Sequence, residues 1–305
     1  MAGINESTEA HGALSRGRTA GAAILLTAFV IVAASASLGC AGGSGAGGAA
    51  ATATAPVTGS SPASGLSPAP QPASTASGAP AVWPSKAALA AAERWLRARA
   101  GVTALAVVDS RGRLHGYRYD TPFSSASIVK AMLLVQYLRA HARVSTHARF
   151  LLARMIVGSD GAATDAVFAQ VGSAGLSALA RVAGMRRFVP SAVWALSRVT
   201  AADQARFFYR IDRLVPRRHR ALARRVLSER GRYRGWGIPQ AALPRGWRVW
   251  WKDGWMHSAS GELLLQAARL ERRGVTFAVA VIGDGQPTSG YGVATMRGVG
   301  ERLLR

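Results

Sequence analysis

The sequence predicts an α/β protein in which a five-stranded antiparallel sheet is flanked by N- and C-terminal helices and carries an inserted all-helical subdomain. Three observations lead there. Over residues 84–305 the apolar patterning runs helix, two strands, a block of helices, three strands, helix. That stretch has about the size of one large domain. Cys40 is the only cysteine, so no disulfide forms within the chain and the domain must be held by an apolar core.

Each element has its own local reason. "SKAALAAAERWLRARAG" (85–101) reads as a helix opened by the Ser85 cap and closed by Gly101. "VTALAVVDSRGRLHGYRY" reads as two strands joined by a turn at 110–112. Residues 125–141 are helical and strongly apolar, and 147–184 hold further helices broken near "GSDG" and "VGSAG". "TAADQARFFYRIDRLV" (200–215) starts with a Thr cap and places Asp203 in its first turn, where an acid suits the helix dipole. A loop rich in Gly, Pro and Trp follows. "RVWWKDGW", "GELLLQAARLE" and "VTFAVAVIGDG" then read as three successive antiparallel strands, and "YGVATMRGVGERLLR" closes the chain as a helix. The simplest assembly is one sheet built from both ends of the domain.

Ahead of the domain, residues 1–40 have the order of an export signal: a flank with Arg16 and Arg18, an apolar run, then small residues. "SLGC", ending in Cys40, resembles the lipobox of bacterial lipoproteins, although Ser37 stands where a Leu is usual. That resemblance implies lipidation at Cys40. The alternative is a transmembrane anchor, because residues 20–38 are nearly long enough to span a bilayer. Residues 41–83 are almost all Ala, Gly, Ser, Thr and Pro with no charged residue, a composition that cannot bury enough apolar surface to order itself. As a coil it would reach roughly 35 Å. The expected location is the bacterial cell envelope, with the domain tethered to a membrane.

Glu6 and Glu9 offset Arg16 and Arg18, so residues 84–305 carry the whole net charge of +23. The densest basic stretch is "RRHRALARRVLSERGRYR" (217–234). An exported domain does not meet nucleic acid, so anionic headgroups or envelope polymers are the expected partners of that charge, and a solvated helix face is the plainer reading. A monomer is expected. The six His and the single Cys show no metal-ligand spacing, and the chain has no P-loop and no dinucleotide glycine pattern. No cofactor is expected.

The basic residues point to a site. Of 38, only Lys86, Lys130 and Lys252 are lysines, and the rest are Arg. An ammonium loses its proton when buried or crowded by other cations, whereas a guanidinium does not. In "FSSASIVKAML" Lys130 lies one helical turn after Ser127, inside an apolar run that implies burial. A neutral lysine beside a serine hydroxyl makes a nucleophile. Next, "MIVGSDGAATDAVF" places Ser159, Asp160 and Gly161 at a break between helices, and "WWKDGW" places Lys252, Asp253 and Gly254 at the end of a strand. Singly each motif is weak. Ser and Asp are ordinary caps, and Lys-x-Gly is an ordinary strand edge entering a turn.

In this order the three motifs resemble those of the serine β-lactamase and penicillin-binding protein superfamily, and most of all the class A β-lactamases. The resemblance spans about residues 84–305 and implies the fold read above. It also implies roles. Ser127 is the acylated nucleophile and Lys130 its base. Ser159 relays a proton to the leaving nitrogen, and Lys252 supplies positive field. The backbone N–H groups of Ser127 and Trp255 form an oxyanion hole, and Gly161, Asp253 and Gly254 contact substrate.

Three positions depart from the family pattern. Ser-Asp-Asn reads Ser-Asp-Gly, so Gly161 brings no amide. Lys-Thr-Gly reads Lys-Asp-Gly, so a carboxylate at Asp253 replaces a hydroxyl that helps bind the substrate's acid. The stretch "MRRFVPSAVWALSRV" (185–199), where the family carries its deacylating glutamate, has no acid. Glu229 is the nearest Glu beyond it, and nothing in the sequence places Glu229 in the site. The expected substrate is a β-lactam or a cell-wall peptide, with acylation at Ser127 and slow deacylation. A D,D-peptidase- or esterase-like enzyme is an alternative, as is a non-catalytic cell-wall-binding protein that keeps the fold.

Overall fold

The structure is a computed structural model, and it describes residues 82–229 and 235–305. The apolar run, Cys40 and the linker up to residue 81 lie outside the described residues, as do residues 230–234.

Helix α1 (Lys86–Arg97) is opened by Ser85, whose hydroxyl accepts from the Ala88 N–H at 3.2 Å. It ends at Arg97, earlier than the expected Gly101. Strands β1 (Val102–Val108) and β2 (Leu114–Tyr117) form the first hairpin. Asp109 fixes the turn by accepting from the N–H groups of Arg111 and Arg113, each at 2.9 Å. A two-residue strand, β3 (Phe123–Ser124), leads through a 3-10 turn at Ala126–Val129 into α2 (Lys130–Ala140).

The helical subdomain continues with α3 (Thr146–Val157) and α4 (Gly161–Ala183). The breaks fall at 158–160 and at Gly172, as the sequence predicts. Strand β4 (Arg198–Val199) pairs with β3, a contact the sequence does not predict. Helix α5 (Ala201–Leu214) is capped by Thr200, whose hydroxyl accepts from the Asp203 N–H. Part of the basic stretch forms α6 (Arg220–Ser228). A short α7 (Ile238–Ala242) precedes β5 (Arg248–Ser258), β6 (Gly261–Arg272) and β7 (Val275–Gln286), and α8 (Ser289–Leu303) follows.

The five long strands form one antiparallel sheet in the order β2-β1-β7-β6-β5. Both halves of the domain therefore contribute, as predicted. Because strand residues alternate faces, the central strands feed two cores. Ala104, Leu265 and Ala280 face the inserted helices, where Leu133, Leu134, Phe207 and Phe208 are buried. Leu105, Leu264 and Val279 face the terminal helices, against Leu96, Met296 and Val299. The buried Gln266 of β6 accepts from the Ile238 N–H at 2.6 Å and donates to the Trp236 carbonyl at 2.8 Å, which anchors the start of α7. Strand β5 is the sheet edge beside the 3-10 turn, and that edge carries the candidate site.

Candidate active site

Ser127 sits in the second position of the 3-10 turn ahead of α2. The turn is held from outside. The buried Ser125 donates its N–H to the Ser197 carbonyl at 2.7 Å and its hydroxyl to the Trp194 carbonyl at 3.0 Å. Ala126, just before Ser127, has φ +43°, a left-handed backbone that a residue with a Cβ rarely adopts. Ser159 is left-handed too, at φ +50°. Such costly conformations persist where surrounding contacts impose them, and here both adjoin one cleft.

Lys130 is 1% exposed. Its ammonium donates to the Ser159 carbonyl at 2.5 Å and to the Ser159 hydroxyl at 3.2 Å. Burial, then the Lys252 ammonium, pushes its pKa down to about 7, against opposition from Asp253, Asp160 and Asp165. The burial that the sequence implies for this lysine is present. Its bonds go to Ser159 in the resting site, bringing the first two motifs into direct contact.

Asp160 caps α4, accepting from the Ala163 N–H at 2.7 Å and from Arg154 at 2.5 Å. That backbone bond and the Arg154 pair hold its carboxyl below the usual range, although burial pushes the other way. Gly161 follows as the first helical residue. No atom lies within 4 Å of where its Cβ would stand, so the missing amide leaves open space.

Lys252 lies in the middle of β5 and not at its end. The strand continues to Ser258, because β6 pairs with it along the whole length. Lys252 is 2% exposed, and its ammonium donates to Asp253, to a carboxylate oxygen at 2.5 Å and to the carbonyl at 3.1 Å. The expected help to Ser159 is thus a field effect through Lys130, while the direct bonds go to Asp253. A Cβ at Gly254 would lie 3.1 Å from each of Ser127 N, Ile128 N and the Ser125 carbonyl oxygen. Edge strand and Ser127 turn thus meet backbone to backbone, and a side chain at 254 would push them apart by a few tenths of an ångström. Trp255, half exposed, follows on the cleft wall.

The acid-free stretch 185–199 covers Lys130 with an aromatic face. The Trp194 ring centroid lies 4.8 Å from the Lys130 ammonium, and its indole N–H donates to Asp165 at 2.7 Å. Asp203, buried in α5, accepts from the N–H groups of Arg186 and Arg187 at 2.8 and 2.7 Å and ties the stretch down. Sequence reasoning missed both Trp194 and Asp165. The available signal was a lone tryptophan in a segment expected to supply an acid.

The cleft has a volume of about 510 Å³. Ser127, Ser159, Lys252, Asp253, Gly254 and Trp255 all line it. Glu229, which the sequence left unplaced, is on its wall, together with Trp236 and Trp251.

Residues 141–305 match the model of the beta-lactamase enzyme family. The matched stretch begins downstream of Ser127 and Lys130 and includes the second and third motifs. Among curated proteins none matches. Solved structures do. A beta lactamase from Xanthomonas campestris pv. campestris has a TM-score of 0.61 at 16% identity, over 71% of this chain and 96% of that one. A class A beta-lactamase representative from Bacteroides cellulosilyticus has a TM-score of 0.62 at 13% identity, over 73% and 97%. A beta lactamase from Burkholderia vietnamiensis has a TM-score of 0.61 at 19% identity, over 72% and 95%. At such identities the structural likeness speaks for the fold, and the family match covers more than half of the sequence. The chain belongs to the beta-lactamase enzyme family.

Proposed function

We propose that this protein is a serine hydrolase of β-lactamase type that is acylated at Ser127 and deacylates slowly. One observation carries the reading: a fully buried lysine, one helical turn from a serine on the cleft wall, whose pKa is pushed down to about 7. A lysine in that range is neutral often enough near neutral pH to accept a proton. In the step proposed, the Ser127 oxygen attacks the substrate carbonyl carbon and its proton passes to Lys130. The negative charge on the carbonyl oxygen faces the N–H groups of Ser127 and Trp255, the kind of stabilisation that is often the largest catalytic term. The carbon–nitrogen bond then breaks. The leaving nitrogen takes a proton from the Ser159 hydroxyl, which regains one from Lys130. An ester on Ser127 results, and a β-lactam or a cell-wall peptide fits this chemistry.

Hydrolysis of that ester needs a base for water. Trp194 offers Lys130 an indole face, and the Asp165 carboxylate accepts from that indole. Both features favour a long-lived acyl-enzyme. The N-terminal pattern ending in Cys40 supports export and membrane tethering of the domain. Stopped-flow hydrolysis of a chromogenic cephalosporin, with intact mass spectrometry, tests the reading. A stoichiometric burst followed by slow turnover is expected. Rapid steady-state hydrolysis with no trapped adduct would refute the slow deacylation. Neither adduct nor hydrolysis in a folded protein would leave a binding protein with this fold.

A further inference from the structure

We propose that the cleft selects an acyl donor carrying a cationic ammonium group, seated against Asp253 between Trp251 and Trp255. This rests on the acylation reading above and names the class of substrate for that site.

Geometry supplies the first argument. Successive residues of a strand point to opposite faces, so Trp251, Asp253 and Trp255 share one face of β5 while Lys252 and Gly254 take the other. A carboxylate is thus flanked on its own strand by two indoles, and all three residues line the cleft. Trp255 is 48% exposed, so its ring is open to a ligand. Trp236 adds a third indole to the lining. Aromatic faces attract alkylammonium groups, and a carboxylate beside them completes a cation-recognition surface.

Charge supplies the second. The domain is strongly basic, with a net +23, yet among the described residues lining the cleft the only Lys or Arg is Lys252, against two carboxylates, Asp253 and Glu229. Lys252 is 2% exposed and directs its ammonium to the Asp253 carboxylate and carbonyl. Lys252 takes one oxygen of the Asp253 carboxylate, Oδ1, so an anionic ligand meets a paired cation behind a carboxylate whose other oxygen can still accept from a donor. A hydroxyl at this position would donate to an incoming acid, whereas a carboxylate only accepts. Among the described lining residues the sign runs against that of the whole domain, and a site's local field decides which ligand charge it favours.

The test compares three p-nitrophenyl esters of one acyl-chain length, ending in trimethylammonium, methyl or carboxylate. The readouts are burst nitrophenolate release and adduct mass on Ser127. The wild type should be acylated about tenfold faster or more by the cationic ester than by the anionic one. Asp253→Thr, which restores a hydroxyl, should remove or reverse that preference, and Asp253→Asn should weaken it. An anionic preference in the wild type, or an unchanged ratio in both variants with native circular dichroism, overturns the inference while leaving acylation intact. If no ester labels Ser127, the acylation reading fails. Tryptophan-fluorescence titration of Ser127→Ala with the corresponding ester-free acids then decides charge preference alone, and equal or tighter binding of the dicarboxylate overturns it.

Discussion

Replacing Lys130 by Met should stabilise the protein while removing its chemistry. The side chain is 1% exposed, and burial together with the Lys252 charge brings its pKa from 10.5 down to about 7. That drop corresponds to on the order of 5 kcal/mol of disfavour for the charged form in the folded state. The sign follows from proton counting. Between about 7 and 10.5 the unfolded chain holds a proton on this lysine that the folded chain lacks. Stability therefore rises with pH through that window, and the full cost is present below it. Met removes the cost but leaves the Ser159 carbonyl without its donor, worth about 1–3 kcal/mol in the other direction. A net gain of roughly 2–4 kcal/mol is expected near pH 6, shrinking by about 3 kcal/mol near pH 9. Urea denaturation of both proteins at the two pH values measures this. The difference between the proteins cancels the titrating groups that do not interact with Lys130. Parallel pH profiles, or a variant less stable at both pH values, would refute the argument.

Four further outcomes are expected. The acylation rate should rise with pH about a midpoint near 7, where Lys130 loses its proton. Lys252→Ala removes a like charge, so the Lys130 pKa rises and the midpoint moves to higher pH; an unmoved midpoint would show that the two ammonium groups are not coupled. Gly254→Ala places a Cβ 3.1 Å from the Ser127 nitrogen, so acylation should fall about 10²-fold as the oxyanion donors shift, with a thermal melt reporting a loss of about 1–3 kcal/mol. Cys40→Ala should release the protein from the membrane fraction or leave its precursor unprocessed, and unchanged retention with normal processing would assign anchoring to the apolar run.

The fold was largely legible because its signals are local and repeated. The runs in β6 and β7 are long and apolar enough to be central strands, and Ser85 and Thr200 cap the helices they precede. The spacing of Ser127 and Lys130 and the apolar residues around them were enough to infer a buried lysine. Pairing of β3 with β4 was not legible, because two residues carry no periodicity. The sequence misplaced Lys252 because Asp-Gly signals a turn, yet the Ser258–Gly261 pairing carries the strand straight through it. Trp194 over Lys130 and Glu229 on the cleft wall are contacts between residues far apart in sequence. Only the assembled fold brings them together, so no local pattern announces them.

Covalent chemistry at Ser127 is most directly tested by labelling the folded protein with a fluorescent penicillin and mapping the adduct by peptide mass spectrometry. The label is expected on the peptide containing Ser127. It should be lost in Ser127→Ala, and its rate of appearance should fall about 10²–10⁴-fold in Lys130→Arg, which keeps the charge and cannot act as a base. Labelling at another residue, or undiminished labelling of Lys130→Arg, would contradict the assignment of Ser127 and Lys130 as nucleophile and base.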